Sequence, residues 1–175
     1  MQIKWFERKF NFDFNENIFP GIIERLQGTP IRLEEKISGF RPDILKIKNN
    51  GKWSVSENIG HLIDLEPLWQ GRLEDIINGN ETLRPADLEN KKTENSDHNS
   101  RSITDLLGNF RSIRSQTIKM MESLDDKIIF KSAFHPRLKI PMRTMDLFLF
   151  VAEHDDHHLA GISEINRMLN LDINT

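Results

Sequence analysis

The chain contains no cysteine. Disulfides, thiolate-ligated zinc and a cysteine nucleophile of the protein's own are therefore excluded, and the lack fits a reducing compartment. No apolar run reaches the roughly 18 residues that a membrane-spanning helix needs. The opening stretch "MQIKWFERKFNFDFNENIFPG" has neither an apolar h-region nor a small-residue cleavage pattern. A cytoplasmic location is the expectation. There is no surplus of positive charge either: the formal net charge is −3, so no basic field favours nucleic acid or an anionic membrane. Glycine-rich loops and internal repeats are also missing.

What remains is a chain of 175 residues, a length that predicts one domain over 1–175 with a core of its own. Residues 1–16 alternate aromatic with polar residues and read as a peripheral arm that packs Trp5, Phe6, Phe10, Phe12 and Phe14 onto something. Helical spacing of Ile22, Ile23, Leu26, Leu33, Ile37 and Phe40 predicts a first helix from about Asn17. Thr29-Pro30 could cap a second segment, so a kink or two abutting helices are both expected there. The second helix is better marked: Ser54-x-x-Glu57 is a capping box, and Val55, Ile59, Leu62, Trp69, Leu73 and Ile76 form a stripe. Pro67 inside it predicts a kink. Residues 79–100 are polar and aperiodic, the kind of long loop that is functional or disordered. A third helix spans about 101–124. Residues 125–143 read as non-helical, with a short extended excursion around His135-Pro136. A fourth helix runs from Thr144, a plausible N-cap, to about Leu169. Four long helices with long loops predict an all-α four-helix bundle.

The segment "VAEHDDHHLAGI" raises the chemical question, because it sets imidazoles among core residues. On a helical projection Leu147, Val151, Ile162, Ile165 and Leu169 make one stripe, and His154 and His158 fall in its middle, one turn apart. Two neutral buried imidazoles would each need a polar partner and would oppose one another's protonation. A shared cation removes both difficulties. An open site usually has three protein ligands, and His61, at the edge of the second helix's stripe, is the preferred third. His98 in the polar loop and His135 before a proline read as solvated. His157 competes with His158, since 154 and 157 are also helical neighbours. Glu57 belongs to the capping box. Asp64 reads as solvent-facing, as do Glu153 and Asp156, while Asp155 could orient a ligand histidine from behind. Arg72 shares the His61 edge and could add a cation there, although a surface arginine is the plainer reading.

"WSVSENIGHLIDLE" followed at a distance by "LFLFVAEHDDHHLAGISEI", with "RLQGTPIRLEEKISGF" before them, resembles the DinB-like (YfiT-type) family. The resemblance spans roughly residues 17–169. It implies a four-helix bundle with a divalent metal held by one histidine from the second helix and an H-x-x-x-H pair from the last. Those positions are His61, His154 and His158 here, which sets His157 aside. It also implies homodimers in many members, for which the aromatic arm could serve. Three neutral imidazoles leave a dication's charge uncompensated, so water or a thiol at its open positions would be acidified. Imidazole donors suit zinc first, with nickel as an alternative. The resemblance implies relatives that include transferases and isomerases using low-molecular-weight thiols such as bacillithiol, mycothiol or glutathione, and others described as probable metal-dependent hydrolases. The expectation is transfer of such a thiol to an electrophilic small molecule. Metal-dependent hydrolysis stands second and a binding module without turnover third.

Overall fold

The computed structural model describes residues 3–48 and 51–171. In chain order its regular elements are α1 (Phe19–Ser38), α2 (Val55–Asn78), α3 (Lys91–Asn95), α4 (Ile103–Glu122), α5 (Asp126–Phe130), β1 (Ser132–His135), β2 (Ile140–Arg143) and α6 (Thr144–Leu171). The four long helices form the bundle: α4 packs against α1 and α2, and α6 packs against the same two. No helix among the described residues is long and apolar enough to cross a membrane.

The local rules explain most boundaries. Ser54 and Glu57 form the reciprocal capping box at the start of α2. Gly79, in the left-handed region at φ 77°, ends α2 by returning its N–H to Asp75 and Ile76 carbonyls. Ser102 caps α4 through the Asp105 N–H. Thr144 is not the N-cap of α6 but its first residue. The carboxylate of Asp146 instead accepts from the Arg143 backbone N–H at 2.9 Å and grips the Arg143 guanidinium.

Neither Pro30 nor Pro67 divides its helix. Pro30 has no N–H to offer the Leu26 carbonyl one turn back. That carbonyl accepts from Arg114 Nη1 of α4 at 3.4 Å instead. Thr29 does not cap anything: its hydroxyl donates to the Arg25 carbonyl within the same continuous helix.

Arg114 is 1% exposed and is the polar hub of the bundle. Its guanidinium reaches Glu66 of α2 at 2.5 Å and Asp155 of α6 at 2.5 Å. Thr117 donates to the other Glu66 oxygen, and Gln70 donates to Thr117 at 2.9 Å. Burial pushes the Glu66 carboxyl pKa up against the pull of Arg114. Burial also opposes the charge on Arg114, but Asp155 and Glu66 outweigh it and the pKa is raised. Apolar residues fill the bundle on either side of this hub, one cluster around Trp69, Phe148 and Phe150 and another around Leu33, Ile59 and Phe110.

Two segments depart from their expected character. Residues 125–143 include the short helix α5 before the antiparallel β1–β2 hairpin. Residues 79–100 are not structureless: Leu83 N donates to the Phe134 carbonyl at 3.0 Å and Phe134 N to the Glu81 carbonyl at 2.8 Å. The loop thereby rides on β1, and α3 and a 3-10 turn at His98–Ser100 follow. The arm is tied down as well. Arg8 pairs with Glu153, and Arg143 donates to the Phe12 and Phe14 carbonyls at 2.8 Å each.

Candidate metal centre

His61 comes from α2, and His154 and His158 come from successive turns of α6. The i, i+4 spacing places the α6 pair on one face, and packing of α2 on α6 brings the third imidazole to them. All three are buried, and one ring nitrogen from each lies within 4.8 Å of the others. Ring centroids are 4.5 Å apart for His154–His158, 4.8 Å for His61–His158 and 5.3 Å for His61–His154.

The hydrogen-bond network assigns the tautomers of two rings. Thr93 Oγ1 donates to Asp64 Oδ2 at 3.0 Å, so the same oxygen accepts from His61 Nδ1 at 3.0 Å. Asn58 Nδ2 donates to the Ser54 carbonyl at 2.8 Å, which turns its Oδ1 to accept from His158 Nδ1, also at 2.8 Å. Both rings then carry their proton on Nδ1 and turn the Nε2 lone pair inward. His158 Nε2 faces His154 Nε2 at 3.2 Å. The Nδ1 of His154 is buried with no partner among the described residues.

This donor set fits a divalent cation. Two inward lone pairs are fixed by outer partners, as ligand histidines require, and a third nitrogen faces one of them. Burial, only partly opposed by Asp64, pushes His61 down to about 4. Burial and the neighbouring imidazoles hold His154 and His158 well below the ordinary histidine value. The triad is therefore neutral at physiological pH, the state in which imidazole ligates.

Each of the chain's three tryptophans stands against this group. Trp53 lies 4.6 Å from the His61 ring, Trp5 4.8 Å from His154 and Trp69 5.9 Å from His154. The triad lines a cavity of about 690 Å³. Its walls are largely apolar and include Leu65, Leu68, Phe150 and the three tryptophans, with Pro85 to Leu88 of the 79–100 segment at its edge. The arm is thus a wall of the site and not only a peripheral strap.

Several side chains sit elsewhere than their local sequence suggests. His98 and His135 are buried, not solvated, at 2% and 1% exposure. His98 Nε2 is 2.8 Å from Asp64 Oδ2, and the Asp64 side chain is largely covered rather than facing solvent. Asp155 is buried too, but Arg114 takes both its oxygens, so it does not orient a ligand histidine. Glu153 and Asp156 pair with Arg25 of α1, at 2.7 and 2.5 Å, and are only partly exposed. Arg72 is 2% exposed and lines the cavity. His157 lines it as well, half-buried, with its ring 5.5 Å from Trp5. Thr93 and Asn58 are contributors that spacing alone does not reveal. Asp64, three residues after His61 and so on its side of the helix, is the one outer partner with a readable signal.

No curated protein sequence matches this chain. Among solved structures it is similar to YfiT from Bacillus subtilis, described as a probable metal-dependent hydrolase with an unusual four-helix bundle topology. The TM-score is 0.79 at 22% identity, covering 94% of each chain, which establishes a shared fold. A family model for the DinB superfamily matches residues 25–162, a span that holds all three histidines. The chain belongs to the DinB superfamily.

Proposed function

We propose that His61, His154 and His158 bind a divalent metal, zinc first and nickel as the alternative, and that the protein transfers a low-molecular-weight thiol to an electrophilic small molecule. The observation that carries the reading is the inward-facing set of neutral imidazole nitrogens lining an apolar cavity. A cation held by neutral donors keeps its full charge for whatever occupies its open positions, where it favours thiolate over thiol. The chain supplies no thiol of its own, so the sulfur must arrive with a small molecule. The residues around the triad do three things. Thr93 and Asn58 hold the donor lone pairs inward. The tryptophans exclude water, which strengthens electrostatic contacts at the site. Asp64 and Asp155 are engaged by Thr93, His98 and Arg114, and Glu153 and Asp156 by Arg8, Arg25 and Arg32, so these acids are not placed to take a proton from water.

Hydrolysis is the second reading, favoured by the description of YfiT as a probable metal-dependent hydrolase. In this chain it would use His157, whose ring lines the cavity, as the base. Incubation of zinc- or nickel-loaded protein with monochlorobimane and glutathione or cysteine tests transfer, because the new carbon–sulfur bond is fluorescent and chloride is released. p-Nitrophenyl acetate tests hydrolysis. Metal-dependent thioether formation that H154A abolishes supports transfer. Equal rates with loaded, metal-free and H154A protein would end the reading.

A further inference from the structure

One corner of the cavity carries two guanidinium groups with no ion-pair partner among the described residues. Arg72 and Arg137 both line the cavity, and neither has a carboxylate within ion-pair distance among the described residues. The acid that acts on Arg72 is Asp75, and Arg84 and Asn80 already occupy that carboxylate. Arg72 is buried and Arg137 half-buried, and guanidinium groups so covered without a counter-charge are rare, because an arginine cannot shed its proton to escape the cost. Burial and the charge of Arg137 push Arg72 down to about 10, and burial lowers Arg137.

The same corner is short of hydrogen-bond acceptors. Arg72 Nε has one, the Arg84 carbonyl at 3.0 Å. Its Nη1 points at His135 Nε2, 3.0 Å away. The other nitrogen of that ring, Nδ1, faces the backbone N–H groups of Arg137 and Leu138 at 3.2 and 3.1 Å. A neutral imidazole has a single lone pair. Whichever nitrogen holds the proton, one set of donors meets a donor. Protonating the ring would remove the remaining acceptor, and burial with the two arginines pushes His135 down to about 4. Arg137 Nη2 is buried with no hydrogen-bond partner among the described residues. The remaining contacts of the two guanidinium groups are aromatic: Arg72 lies over Trp69, and Arg137 over Phe6 and Phe150.

We propose that Arg72 and Arg137 form an anion subsite of the cavity, which takes the carboxylate or phosphate head of a small amphiphilic molecule whose apolar body lies along the aromatic walls. An anionic head supplies the missing acceptors and the missing charge together, and guanidinium forks match both head groups. Trp69 neighbours both Arg72 and His154, and the arginines and the triad line the same cavity, so a molecule anchored at the arginines can reach toward the triad. Calling that molecule a substrate rests on the function proposed above; the anion site itself needs no metal.

The test uses chelator-treated full-length protein and its own tryptophan fluorescence, since all three indoles line the cavity. Hexanoate, hexyl phosphate and hexan-1-ol are titrated in parallel. At least one of the two anions should bind about tenfold or more tightly than the alcohol, and which of them does so identifies the head group. R137Q should remove that preference while leaving hexan-1-ol binding unchanged. R72Q should do the same; Arg72 is buried, so R137Q alone decides the outcome if R72Q does not fold. Zinc binding by R137Q, measured by calorimetry, should be unaltered, and H154A should keep the anion preference. Failure of the metal reading and failure of the subsite are thereby distinguishable. Equal binding of alcohol and both anions, or an anion preference that survives in R137Q, overturns the proposal.

Discussion

Thr93 Oγ1 stands 3.0 Å from His61 Nδ1 and passes its own hydrogen to Asp64 Oδ2, also at 3.0 Å. A residue of the short helix α3 therefore sets the tautomer of a histidine in the bundle. T93V keeps the shape and removes the acceptor. Zinc affinity should fall about 10- to 100-fold, as for other lost outer partners of ligand histidines. Calorimetric titration of both proteins checks this, and an unchanged dissociation constant would dissolve the link.

Gly60 has a related duty. A Cβ built there would stand 2.2 Å from the His98 ring, so G60A must drive His98 away from Asp64. Lower thermal stability is expected together with weakened metal binding. If G60A binds zinc like the parent protein, the His98–Asp64 contact contributes nothing to the site.

Removing the hub cation should be costly. R114M leaves Glu66 and Asp155 buried without a counter-charge, a loss of about 3–5 kcal/mol. Urea unfolding of the metal-free proteins measures it. R114M combined with E66Q and D155N should recover much of the loss, because the uncompensated charges leave with their partner.

Acid should weaken the metal-free protein before it reaches the carboxylate range. His61 and His135 are pushed down to about 4 in the fold, against about 6.5 in the unfolded chain. Between those values the unfolded chain binds more protons, so stability falls as pH drops from about 6.5 toward 4. Unfolding midpoints in chelator should be level above pH 7 and lower at pH 5. A flat profile from 7 to 5 would mean that these rings are not held neutral.

Metal should act in the opposite sense. At a free zinc concentration 100 times the dissociation constant, the native state gains about 2.7 kcal/mol. The melting temperature should rise on loading and return on chelation. H158A should show no such rise.

The parts of this architecture that obey a period were legible in the sequence. The stripe on α6 exposed His154 and His158 as misplaced polar residues, and the capping box fixed the start of α2. What stayed hidden lies where no period exists. Residues 79–100 are polar by composition, yet Leu83, Thr93 and His98 are buried, because β1 and α2 supply partners that only the folded chain brings near. Arg114 shows the complementary case. It stands four residues after Phe110 and four before Ile118 on α4's inward face, a placement that implies buried acids without saying which. Of the two arginines of the cavity, Arg137 has no local signature, and Arg72 has only its place on the His61 edge. Arg72 reads as a surface residue until the β1–β2 hairpin places His135 against it.

The contact between Trp5 and His154 joins the two ends of the described chain. During synthesis the indole and His61 leave the ribosome long before the last helix exists. A half-made chain therefore has one donor and an unfinished wall, and cannot sequester a cation. The donor set is complete only once α6 has emerged, and cutting away either the arm or the end of α6 would remove part of the cavity wall.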